Sequence, residues 1–158
     1  MAMTEKKKNK LKTWLMIGAI ALCVIMLIGV FVKLGNMETT RKLDATNYAV
    51  GTISTTDGKI NESRQNIYTK DLLKVEDISI TLDEDATISY KVFFYDEDKA
   101  FIDATSSLTA DFDASDISSG AEYCRVVITP AQVDGENVNI NAFNMTRYTS
   151  QINIVVAK

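Results

Sequence analysis

Apolar positions are arranged in two different ways along this chain. From Trp14 to Val32 they are continuous: WLMIGAIALCVIMLIGVFV runs for 19 residues without a charge. A helix of that length rises roughly 28 Å, close to the ~30 Å hydrocarbon core of a bilayer. It also satisfies its own backbone polar groups, as lipid requires. The pattern predicts a transmembrane helix over 14–34, a short tail over 1–13 and a polar stalk over 35–47, whose Met-Glu-Thr-Thr-Arg-Lys stretch could continue the helix by a turn or two.

Past Asn47 the pattern changes to alternation. Ile78, Ile80 and Leu82 alternate with Ser79 and Thr81; Ile88, Tyr90, Val92 and Phe94 with Ser89, Lys91 and Phe93. Cys124, Val126 and Ile128 alternate with Arg125 and Val127, and Ile152, Ile154 and Val156 with Asn153 and Val155. Period 2 with β-branched and aromatic residues reads as half-buried strands. Turn signals separate the runs: Thr56-Asp57-Gly58-Lys59, Asp83-Glu84-Asp85, Asp96-Glu97-Asp98-Lys99, Ser118-Ser119-Gly120 and Asp134-Gly135-Glu136. About eight or nine strands fit between Tyr48 and Ala157, with no apolar 3.6-residue period among them. The predicted fold is mainly β: one N-terminal transmembrane helix, then an antiparallel β-sandwich of jelly-roll type over 48–158.

Charge sharpens this division. Residues 1–33 hold six Lys and one Glu, a net +5; residues 34–158 hold eleven Lys/Arg and twenty Asp/Glu, a net −9. Lys6, Lys7, Lys8, Lys10 and Lys12 precede the span, so the positive-inside bias places the N-terminus in the cytoplasm and the sandwich outside the cell. A cleaved signal peptide would have a shorter apolar region and an A-x-A-like site, and Lys33-Leu34-Gly35-Asn36-Met37 has none. A lipoprotein site would need a small residue before Cys23, where Leu22 stands, and the usual pilin-type junction is missing. An uncleaved signal anchor is the preferred reading, with the lipid bilayer as the first partner. The acidic body argues against nucleic acid, which needs clustered Lys and Arg.

Composition removes several chemistries. The chain has no His, which excludes Ser/His/Asp and Cys/His catalysis and His metal ligation. Two Cys cannot make a zinc site. A glycosidase would need two carboxylates at fixed separation in a cleft, for which a ~110-residue sandwich leaves little room. The expectation is a non-enzyme. With Cys23 in the membrane span, Cys124 is read as a buried apolar-like thiol, with an intermolecular bridge as the alternative. Asn61-Glu62-Ser63 and Asn144-Met145-Thr146 are glycosylation sequons that matter only in a eukaryotic secretory route.

The order Phe94-Tyr95-Asp96, Lys99-Ala100-Phe101-Ile102 and Tyr123-Cys124-Arg125, together with Ile67-Tyr68-Thr69-Lys70-Asp71, resembles a known family. It is similar to the jelly-roll domains, galactose-binding-like and carbohydrate-binding-module-like, of surface proteins from Gram-positive bacteria and their phages. The resemblance covers roughly Tyr48 to Lys158. It implies a binding or structural module in place of an enzyme.

Alternation then suggests sites. If Tyr90, Val92 and Phe94 face the core, Phe93 and Tyr95 face the other way, as do Tyr123 and Arg125. On one sheet these four could share an aromatic patch with an in-plane donor, a surface that suits a glycan. The alternative is that loops cover this face and the aromatics form a second small core. Among the acidic groups, Asp111, Asp113 and Asp116 lie in one short loop and are the candidates for a structural calcium; solvated turn residues are the plainer reading. The expected function is a membrane-anchored extracytoplasmic binding module, for cell-envelope or host glycans. The alternative is a structural subunit that contacts envelope proteins. Tethered copies would act together through avidity.

Overall fold

The computed structural model describes residues 40–157. The expected membrane span, the basic tail and Cys23 lie outside the described residues. Among those described, no helix is long and apolar enough to cross a membrane.

The chain is mainly β, with antiparallel sheets. In order the strands are β1 (Thr40–Lys42), β2 (Tyr48–Val50), β3 (Thr52–Ile53), β4 (Ile60–Asn61), β5 (Ile67–Thr69), β6 (Leu73–Lys74), β7 (Ile78–Leu82), β8 (Ile88–Tyr95), β9 (Phe101–Ala104), β10 (Tyr123–Pro130) and β11 (Ile152–Ala157). A single-turn helix, α1 (Met145–Thr149), precedes β11. One sheet has the order β1-β11-β7; the larger has β2-β5-β10-β8-β9, with β6 also on β10. β3 and β4 form a separate hairpin.

β8 and β10 are the spine. They pair over all eight residues, from Tyr123 opposite Tyr95 to Pro130 opposite Ile88. The period-2 reading holds on their inner side: Ile88, Tyr90, Val92 and Phe94 are buried against Cys124, Val126 and Ile128, and Ile80, Ile152 and Ile154 of the smaller sheet close over them. Each such side chain withdrawn from water stabilises the fold by roughly 1.5–3 kcal/mol. This shared core makes the two sheets sandwich-like. The predicted turns fall where expected: Asp83–Asp85 between β7 and β8, Asp96–Lys99 between β8 and β9, and Gly58 in the β3–β4 hairpin.

Two backbone features fix the larger sheet. β5 meets β10 only at Tyr68 and Ile67, and β6 meets it only at Lys74 and Leu73. In the gap the Val126 N–H donates to the Thr69 hydroxyl at 3.0 Å, in a fully buried site. A side chain thus takes the place of a missing ladder bond, as a buried N–H requires. At the hairpin, Gly58 has φ +67°, and a Cβ there would lie 2.5 Å from Cβ of Phe101. Only glycine allows that approach.

Two expectations need correction. The described body includes residues 40–47, which belong to the segment read as stalk over 35–47. β1 pairs with β11 (Thr40 opposite Ala157), Leu43 is buried, and Asp44 caps a 3-10 turn over Ala45–Asn47. The three β1 side chains are all exposed, so β1 is held by backbone bonds and leaves no apolar pattern to read. The expectation of strands alone also misses α1, whose single turn is too short to show a 3.6-residue period.

Candidate functional site

The register places Phe93, Tyr95, Tyr123 and Arg125 on one face, as the alternation predicted. Arg125 stands opposite Phe93, and Tyr123 opposite Tyr95. That face is not an open platform. Phe93 is 1% exposed and Tyr95 6%. Together with Ile53 and Val127 they form a second core, with Tyr68, Leu72, Phe101, Ala104 and Tyr123 packed around it. The β3–β4 hairpin is the cover: Ile53 is buried in this cluster, and the Tyr95 hydroxyl donates to the Gly58 carbonyl at 3.0 Å. Phe101 packs on Phe93 at 6.2 Å and edge-on to Tyr95 at 5.9 Å between ring centres. Burial raises the Tyr95 phenol above its ordinary value, and the Arg125 charge offsets part of that rise.

What remains partly open on this face is Tyr123 and Arg125. Arg125 Nε is buried and has no hydrogen-bond partner among the described residues.

The acidic loop is occupied with local work. Asp111 accepts the Leu82 N–H at 2.9 Å. Asp113 accepts the Ser115 N–H at 2.8 Å, and its own N–H donates to Asp116 at 3.2 Å, a reciprocal cap on the 3-10 turn Ala114–Asp116. The backbone Ser115 N–H, then its hydroxyl, hold the Asp113 carboxyl below the usual range. The structure does not gather these three into a metal-holding group. No set of three or more His, Cys, Asp or Glu with that capacity occurs among the described residues. Cys124 is fully buried, and burial pushes its thiol up to about 12.

The residue that the sequence reading passed over is Phe143. It is 98% exposed, on a loop held from both sides. Asn141 accepts the Phe143 N–H at 2.9 Å and the Asn144 N–H at 3.2 Å. Asn144 accepts the Asn141 N–H at 2.8 Å and donates to the Asn139 carbonyl at 2.9 Å. Ile140, buried in the main core, and Met145, packed against it, anchor the flanks. Val133, on the same 131–144 connection, is also exposed. The signal was present as Asn-Ala-Phe-Asn, an aromatic between two turn formers, but it belongs to no periodic run.

The position of this loop follows from the ladders. It leaves β10 at Pro130, beside Ile88, and returns through α1 to β11, where Ile152 faces Leu82. Thr40, the first described residue, pairs with Ala157, and the Val75 N–H bonds the Glu122 carbonyl just before Tyr123. Phe143 and Thr40 therefore lie at opposite ends of the body. A shallow groove of about 380 Å³ lies between Lys42–Ala45, Tyr48 and α1. Among the described residues the buried Tyr48 hydroxyl has no hydrogen-bond partner, and its burial, with the Asp44 charge, raises its pKa.

No family model, no curated protein and no solved structure matches this chain.

Proposed function

We propose that this protein is a membrane-anchored, non-catalytic interaction module of the cell envelope, carrying its sandwich outside the cell and engaging a protein partner through the Phe143 end. The uncharged span at 14–32 and the lysines before it support the anchor and its direction.

The observation that carries the binding reading is Phe143, 98% exposed on a loop already fixed by its neighbours. A loop backbone held in one turn before binding loses less conformational freedom when it docks, and buried aromatic anchors dominate interface energies. The loop lies at the end of the body away from Thr40, where a partner can approach. A glycan platform on the aromatic sheet face has less support, since Phe93 and Tyr95 are covered.

The test is crosslinking in intact cells. A benzophenone amino acid in place of Phe143 should give one discrete adduct, and the same group in place of Lys99, on the opposite end, should give none. Equal labelling from both positions would overturn the reading. Protease added to intact cells should remove the body and spare the tail; a protected body would reverse the orientation.

A further inference from the structure

A second cavity, of about 220 Å³, opens beside β1 where the two sheets part. Its small-sheet wall is Arg41 and Val156, directly opposite each other on β1 and β11 and therefore on one face. Its large-sheet wall is Leu73 on β6 and Asp71 in the turn before it. Leu43 and Asn47, from the link between β1 and β2, complete the lining. Leu43 and Leu73 are buried and Asn47 is 9% exposed, so these form the floor. Arg41 and Asp71 are exposed and stand at the rim.

The two rim charges are opposite in sign and do not neutralise each other. The ion pairs among the described residues are Lys59–Asp57 and Lys74–Glu76, so Arg41 and Asp71 stand more than 4.0 Å apart. Their nearest rivals are engaged elsewhere. The Lys70 ammonium, next to Asp71 in the chain, donates to the Thr46 carbonyl at 2.8 Å. The Thr46 hydroxyl, then its N–H, hold the Asp44 carboxyl below its usual range, with Arg41 adding a smaller pull from beyond 4.0 Å. A cation and an anion kept apart over an apolar floor complement a small molecule that carries both charges. A bare carboxylate would be repelled by Asp71, and a bare amine by Arg41.

We propose that this cavity binds a small α-amino acid as its zwitterion. The Arg41 guanidinium offers a carboxylate a planar fork of donors. The Asp71 carboxylate accepts from the ammonium, and Leu43, Leu73 and Val156 receive an apolar side chain. The Asn47 Oδ1 already accepts the Asp44 N–H at 3.0 Å, so what Asn47 brings to the ligand is its NH2, a further donor for the carboxylate. The site uses no residue of the Phe143 loop, and either proposal can fail without the other.

The experiment is an NMR titration of the isotope-labelled full chain in non-ionic maltoside micelles, following the Asn47 side-chain amide and the Leu43 and Leu73 methyl signals. L-alanine or D-alanine should move all of them along a saturating curve. Propionate lacks the ammonium and ethylamine lacks the carboxylate, and each should bind at least about tenfold more weakly. Arg41→Gln should weaken alanine binding about tenfold and erase its advantage over ethylamine; Asp71→Asn should weaken it as much and erase its advantage over propionate. Both side chains are exposed, so each variant should keep its Tm within about 4 °C of the parent. Signals unmoved by either enantiomer, or moved as readily by propionate, ethylamine or sodium chloride, would overturn the proposal. Alanine binding undiminished by both substitutions would overturn it too, and would leave Arg41 as a charge that only guards the sheet edge.

Discussion

The central sheet is covered on both sides, by very different means. Its inner face meets β11 and β7, strands of six and five residues with their own alternation. Its outer face meets the β3–β4 hairpin, whose strands have two residues each. The two covers produce the same burial: Phe94 on one side and Phe93 on the other are both removed from water. A long cover announces itself in sequence through its period, and a short one does not.

Substitutions on the two faces test how far this equivalence extends. The largest effect should come from the inner face. Phe94→Ala is expected to cost about 4 kcal/mol in urea unfolding, because sheets on both sides hold the cavity open. Phe93→Ala should cost less, about 3 kcal/mol, since the hairpin can settle into the space. Equal losses would make the hairpin as rigid as a full sheet.

Gly58→Ala attacks the cover itself. A Cβ at φ +67° and 2.5 Å from Phe101 should cost about 2 kcal/mol and expose Tyr95 to a soluble fluorescence quencher. A variant as stable as the parent, with Tyr95 still shielded, would show that the hairpin lies elsewhere. Tyr95→Phe removes only the bond to the Gly58 carbonyl and should cost about 1 kcal/mol.

The smallest effect concerns Cys124 on the inner face. Its thiol is raised in the folded state, so its contribution to stability is full below the unfolded value near 9.0. It is lost as pH rises through that value toward about 12. In a Cys23→Ser chain the folded protein should resist a thiol reagent at pH 8 and react only on unfolding. Reaction at the rate of a free thiol would mean that the inner face opens readily.

Much of the fold was legible because one physical rule, alternate burial on a pleated strand, governs its longest elements. Ile88 to Phe94 and Cys124 to Ile128 show it directly. The rule fails where elements are short or two-sided. β1 binds through its backbone and leaves no pattern. The run Val92-Phe93-Phe94-Tyr95 is continuous and not alternating, and it is buried throughout. Continuity of that kind is the mark of a strand covered on both faces, and it was the available sign that Phe93 and Tyr95 would not form an open patch. The site was less legible still. Arg125 and Tyr123 were placed on the right face, but Phe143 belongs to no repeat, and the roles of Asp111, Asp113 and Asp116 depend on backbone N–H groups brought near by folding.

β1 gives the body a mechanical character. It runs inward from Thr40 alongside β11 in three antiparallel rungs, with the Leu43 N–H adding a bond to the Ile154 carbonyl. A pull between residue 40 and the Phe143 loop is directed along β1. The rungs then share the force in shear, and do not break in succession as they would if the strand were peeled sideways.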